Sequence, residues 1–193
     1  MVFHVRRKKI DDIDLKIIAE LQQDGRIKLT DLADKLDLTH PSVYERLKKL
    51  IENDLIKIQA NLNLPKLKLK AAFVFMNLEN TATLSKWLEK CGNCSKLVLM
   101  GIGSGRYNLF VVFVGESFNE LKSMIEKNLE GLAVKEVHVS YGEIIYPLFY
   151  PLRINVDCEK IVEEICSRCA FYKSKLCRGC SGILNTIKTT IIT

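Results

Sequence analysis

The sequence has no apolar run near the roughly 18–20 residues that a membrane-spanning helix needs. Its first residues, Met1-Val2-Phe3-His4-Val5-Arg6-Arg7-Lys8-Lys9, put no apolar stretch behind their positive charges, which is not the pattern of a secretory leader. There are only three histidines, His4, His40 and His138, too far apart in sequence to read as an imidazole cluster. No nucleophile–base pair, glycine-rich phosphate loop or pair of acids stands at a convincing catalytic spacing. These absences point away from membrane insertion, secretion and catalysis, and predict a cytoplasmic binding protein that is not an enzyme.

The 193 residues suffice for one ordinary domain or two small ones. Their net charge of +6 fits nucleic-acid binding without demanding it. The chain also carries seven cysteines, which in a reducing compartment bind metal or do redox chemistry more often than they form structural disulfides.

Residues 1–65 read as three helices and a short hairpin. Ile10, Ile13, Ile17, Ile18 and Leu21 recur at helical spacing, with Asp11, Asp12 and Asp14 placed to cap the helix start, and Asp24-Gly25 stops it. Thr30 is the expected N-cap of a second helix that buries Leu32, Ala33 and Leu36. After the tight Asp37-Leu38 connection, Thr39 caps a third helix with Pro41 in its first turn. Val43, Leu47, Leu50 and Ile51 form its inner face, and Leu55 to Leu62 alternates like a strand or wing. Two short helices joined by a tight turn behind a scaffold helix make a helix-turn-helix. The outward and flanking set, Thr39, His40, Ser42, Tyr44, Glu45, Arg46, Lys48 and Lys49, is the candidate DNA surface. In it, His40 and Ser42 would reach base edges, while Arg46, Lys48 and Lys49 would meet phosphates. An ordinary charged surface helix is the competing reading.

Residues 66–152 change period. Strands are expected at Ala71–Leu78, Lys96–Met100, Tyr107–Val114 and Val134–Ile145. Helices are expected from Thr81 through Trp87 and Leu88, and from Phe118 through Leu129. The order βαββαβ is that of a ferredoxin-like fold, with both helices on one sheet face and the other face open to a partner. The expected class is therefore α+β, a winged helix-turn-helix followed by a ferredoxin-like domain.

The run Ile10-Asp11-Asp12-Ile13-Asp14-Leu15-Lys16-Ile17-Ile18, then Asp24-Gly25-Arg26-Ile27, the Leu32-Ala33 helix and Val43-x-x-Arg46-Leu47-x-x-Leu50 resemble the Lrp/AsnC family of feast/famine transcription regulators. Farther on, Ser104-Gly105-Arg106-Tyr107-Asn108 stands where that family has Thr-Gly-x-Tyr-Asp, and Glu130-Gly131 where it has Pro-Gly. The resemblance spans residues 10 to about 148. It implies double-stranded DNA as a partner, a homodimer built through the βαββαβ domain and often assembled into octamers, and recognition by the helix Thr39–Leu50. It also implies an amino-acid-like effector near Gly103, Ser104, Gly105, Tyr107 and Asn108. Asn108 in place of Asp would remove a charge that could hold an ammonium group, or would simply keep an Asx side chain for local backbone bonding. His40-Pro41, where the family commonly has Pro one residue earlier, should alter the DNA contacts. Siroheme-decarboxylating proteins resemble the same architecture, so an enzyme is the alternative, and a co-regulator that binds a family member instead of DNA is another.

Residues 153–193 lie outside the resemblance and carry five of the cysteines. Cys166-Ser-Arg-Cys169 and Cys177-Arg-Gly-Cys180 make two C-x2-C pairs, each able to place two thiolates on one metal ion. Gly179 and Gly182 suit a tight turn there, and Arg168, Lys173, Lys175 and Arg178 favour thiolates. Structural zinc is the leading expectation, with an iron–sulfur cluster drawing on Cys158, or a thiol switch, as alternatives. Cys91-Gly-Asn-Cys94 is a lone pair that cannot complete a tetrahedral site. The Ile/Thr-rich end, Ile183 to Thr193, is expected to be a helix or strand packed on the protein or on a neighbouring subunit.

Overall fold

A computed structural model describes residues 10–80, 83–85, 87–88, 94–130, 133–152, 167, 170–175, 178 and 186–189. The chain divides into two compact units between Ala60 and Asn61, ahead of the Pro65 boundary expected from composition.

The first unit is built from α1 (Asp12–Gln23), α2 (Leu29–Lys35) and α3 (His40–Glu52). A reciprocal capping box starts α1: the Asp14 N–H donates to Asp11 Oδ1 at 2.9 Å, and the Asp11 N–H donates to Asp14 Oδ2 at 3.2 Å. Ile17, Leu32, Ala33, Val43 and Leu50 form the core, flanked by Ile13, Leu21 and Leu36. Between α2 and α3 the Leu38 N–H donates to the Ala33 carbonyl at 3.0 Å, with Asp37 left-handed at φ 54°. That pattern ends a helix abruptly and lets the next begin three residues later.

Several expectations fail here. The second helix starts at Leu29 with Lys28 as its N-cap residue, and the Thr30 hydroxyl donates to Asp31 instead of capping. Thr39 does occupy the N-cap position of α3, yet its side chain makes no capping bond, and Pro41 at the second helical position offers no N–H for one. Ile51 is 43% exposed, since the α3 core seam runs through Val43 and Leu50 one position to its side. No strand forms over residues 55–61, so the winged element is absent there. The short strand β1 (Leu62–Asn63) lies in the second unit and pairs with β6 (Phe149–Tyr150), because an alternating segment becomes a strand only where a partner accepts its backbone bonds.

The second unit is a four-stranded antiparallel sheet of β2 (Lys70–Leu78), β3 (Leu97–Ile102), β4 (Leu109–Gly115) and β5 (Val134–Gly142), in spatial order β3-β4-β2-β5. Residues 83–85 and 87–88 between β2 and β3 are helical, and α4 (Phe118–Leu129) follows β4. The Ser117 hydroxyl caps α4 by accepting from the Glu120 N–H. This is the ferredoxin-like order, with β4 starting two residues later and β5 ending three residues earlier than the periodicity suggested. Ala72, Val74, Met76, Leu109, Val111 and Phe113 face Trp87, Leu121, Met124 and Ile125 to form the main core. A second cluster around Leu64, Leu67, Leu69, Ala71, Val114 and Leu152 covers one end of the opposite sheet face. Residues 186–189 are helical, and Ile187 packs on that cluster.

Candidate DNA-binding surface and strand loop

On α3, alternate sides separate cleanly. Val43 and Leu50 are sealed in the core, while Thr39, His40, Pro41, Tyr44, Glu45, Lys48 and Lys49 are exposed and Ser42 is half-buried. The first-turn N–H groups of a helix have no intrahelical acceptors, and they sit beside His40 and Ser42 at the positive end of the helix dipole. Lys48 lies 4.0 Å from Glu52 one turn on, a contact too loose and exposed to hold it from a phosphate.

Arg46 also makes contacts within the unit that the sequence pattern does not show. Its Nη1 donates to Asp11 Oδ2 at 2.7 Å and to Asp14 Oδ1 at 2.8 Å, joining α3 to the cap of α1. The Asp14 N–H, followed by Arg46, holds the Asp11 carboxyl below the usual carboxylate range. The two carboxylates in turn raise the Arg46 pKa. Arg46 thus links α3 to the start of α1 through its Nη1. Periodicity could not reveal this, because the partners lie 35 and 32 residues away in sequence.

The five loop residues singled out by resemblance do come together between β3 and β4. Gly105 has φ 115°, a conformation that favours glycine. Asn108 is the loop's anchor. Its Oδ1 accepts from the Leu78 N–H at 2.8 Å, and its Nδ2 donates to the Leu78 carbonyl at 2.9 Å. Its own N–H donates to the Met76 carbonyl at 3.0 Å. The side-chain amide therefore mimics a strand residue where the β2–β5 register slips between Asn77 and Leu78. A carboxylate could accept the first bond but could not donate the second, so asparagine is the fitting residue for this latch.

Around the loop stand residues that sequence reading missed. Arg106 forms a two-pronged ion pair with Glu136, with its Nε 3.0 Å from Oε2, and the Tyr107 hydroxyl donates to Glu136 Oε1 at 3.2 Å. Arg106, and then Tyr107, lower the Glu136 pKa. Phe75, Tyr107 and His138 form a ring cluster with centroids 6.1–6.4 Å apart, and the Arg106 guanidinium lies 5.4 Å from the Tyr107 centroid. Phe75 pairs with His138 and Asn77 with Glu136 across β2 and β5, so the antiparallel register was the signal that could have found them.

Cys94 is half-buried against the main core, while Cys91, Cys158, Cys166, Cys169, Cys177 and Cys180 lie outside the described residues. Among the described residues no group of three or more His, Cys, Asp or Glu side chains could hold a metal ion, and no helix is long and apolar enough to cross a membrane.

Residues 10–51 match the AsnC-type helix-turn-helix domain. An uncharacterized HTH-type transcriptional regulator of Pyrococcus abyssi is 26% identical over 129 residues, covering 64% of this chain and 79% of that protein. The leucine-responsive regulatory protein of Rhizobium meliloti is 42% identical over 53 residues, covering 28% of this chain and 34% of that one. Among solved structures, a transcriptional regulator of Neisseria meningitidis in complex with L-Met superposes with a TM-score of 0.61 at 18% identity, over 76% of this chain and 98% of that one. At that identity the likeness shows a shared fold.

Proposed function

We propose that this chain, whose residues 10–51 form an AsnC-type helix-turn-helix domain, is a sequence-specific DNA-binding transcription regulator of the Lrp/AsnC type. The observation that carries this reading is α3 itself. Its buried seam is braced by Arg46, while its exposed face gathers short polar groups at the N-terminal end and lysines farther along. In this reading His40 and Ser42 meet base edges, Thr39 lies beside the backbone, and Tyr44, Glu45, Lys48 and Lys49 line the groove wall and its phosphates. The chain is a regulator and not an enzyme, as its relatives' names support, and the decarboxylase alternative is not favoured. It acts in the cytoplasm, where the DNA is.

The second unit pairs two copies and hears an effector. Phe75 and Leu99 are 37% and 46% exposed on the sheet face away from the helices, an apolar surface suited to a second copy of the same sheet. Two-fold pairing would set DNA half-sites about one helical turn apart, or a multiple of it. An amino-acid-like effector would bind near Gly103, Ser104, Gly105 and Tyr107, with Asn108 holding the loop through Leu78 instead of touching the ligand. The L-Met complex of the Neisseria meningitidis protein is consistent with that chemistry. The test is binding of the intact chain to a duplex carrying its own upstream region across a salt series. Tight binding that weakens steeply with salt is expected. Binding absent at low salt, with recovery only of another family member in a pull-down, would favour the co-regulator.

A further inference from the structure

Neither DNA recognition nor the strand loop uses the cysteines that follow residue 157. We propose that Cys166, Cys169, Cys177 and Cys180 bind one zinc ion as a closed tetrathiolate site, and that this site fastens the C-terminal segment to the corner between β4 and α4. The cysteine side chains lie outside the described residues, so the argument runs through their spacing and through the described residues interleaved with them.

Two C-x2-C pairs give four sulfurs to one tetrahedral ion, the donor set of a structural zinc site. The common iron–sulfur runs, C-x2-C-x2-C-x3-C and C-x4-C-x2-C, do not fit the x7 spacer between the pairs. That spacer contains one helical turn, α5 (Ala170–Lys173), after which the Lys175 N–H donates to the Tyr172 carbonyl at 3.1 Å with Lys175 left-handed at φ 60°. A helical turn closed by a left-handed residue keeps the spacer compact. Four thiolates on a divalent ion leave two negative charges, and Arg168, Lys173, Lys175 and Arg178 sit in sequence among them.

The second pair is also flanked by anchors. Arg178, between Cys177 and Cys180, donates from Nη1 to Glu116 Oε2 at 3.0 Å. The Thr186 hydroxyl donates to Glu116 Oε1 at 2.5 Å. One carboxylate just before α4 thus receives the segment from within and from beyond the second C-x2-C, and the Glu116 backbone N–H is itself tied to Glu120 Oε2 at 2.8 Å. A four-residue helix has no stability of its own. A metal closing the loop would give Glu116 an ordered partner to hold.

The test uses the full chain without an affinity tag, purified without oxygen, with metal and sulfide analysis and cobalt substitution. The expected result is about one zinc per chain and a thiolate-to-cobalt charge-transfer band. Cys177→Ser should lose the ion, whereas Cys158→Ser and Cys91→Ser should keep it. If Cys177→Ser does not fold, chelation of the unaltered chain replaces it: zinc removal should open residues 158–193 to protease, and Glu116→Gln should open them with zinc retained. Iron with inorganic sulfide, a metal-free chain, zinc kept by Cys177→Ser, or cleavage unchanged by chelation would each overturn the proposal.

Discussion

Each compact unit contains an ion pair that ties together elements far apart in sequence, and the two pairs are built differently. In the helix-turn-helix unit, Arg46 bridges Asp11 and Asp14 at the surface, where the Asp11 side chain is 51% exposed. In the ferredoxin-like unit, Lys96 joins Glu120 with both side chains only 3% exposed. Water screens the first and is excluded from the second. The surface bridge orients α3 on α1 at small energetic cost, so the recognition helix is aimed without being rigidly locked. The buried bridge joins Lys96, just before β3, to Glu120 on α4, and loss of either partner removes a countercharge from a group shut away from water. One unit thus holds its helices with a screened surface bridge, and the other holds its sheet and helix with a bridge shut away from water.

The largest expected effect comes from breaking the buried pair on one side. Lys96→Met alone should destabilise the second unit by about 3–5 kcal/mol, while Lys96→Met with Glu120→Leu should recover most of the loss. Urea unfolding of the single and double variants checks this, and equal losses in both would show that the pair matters through packing alone. Next is the loop latch. Asn108→Asp should cost about 1–3 kcal/mol, because the Leu78 carbonyl loses its donor and faces a carboxylate instead. Unchanged stability in that variant would mean the amide is dispensable. In the first unit, Asp37→Val should cost about 1–2 kcal/mol at the left-handed turn residue, whereas Asp37→Gly should be tolerated.

The smallest effect is a pH dependence of the surface strut. Asp11 has its pKa lowered first by the Asp14 N–H and then by Arg46. A carboxyl lowered by folding contributes stability above the ordinary carboxylate range and loses it as pH falls through the depressed value. Arg46→Met should therefore shift the Asp11 titration part of the way back up, leaving the share due to Asp14. Carboxyl NMR through acid pH is the measurement, and no shift would remove Arg46 from the account of Asp11.

What the sequence made legible follows the range of each interaction. The α1 and α3 periodicities, the Asp11 cap and the βαββαβ order depend on residues a few positions apart, and, Ile51 apart, they are found in the structure. The Leu55–Leu62 alternation misled because a strand is defined by its partner, and β1 finds β6 almost ninety residues later. The carboxylates that Arg46 meets were not legible, because a linear pattern shows an outward arginine without its partners. Asn108 could be placed in the loop but not matched to Leu78, since that bond depends on how β2 lies beside the start of β4, thirty residues away in sequence. Glu136 and His138 became visible only once β5 was laid beside β2.

The most direct test of α3 as the reading element compares the intact chain with Lys49→Ala and Ser42→Ala on its own upstream duplex and on scrambled DNA. Lys49→Ala should weaken both duplexes alike and lower the salt slope by about 1, whereas Ser42→Ala should narrow the preference for the specific site. Footprints and affinities unchanged in both variants would contradict recognition by α3.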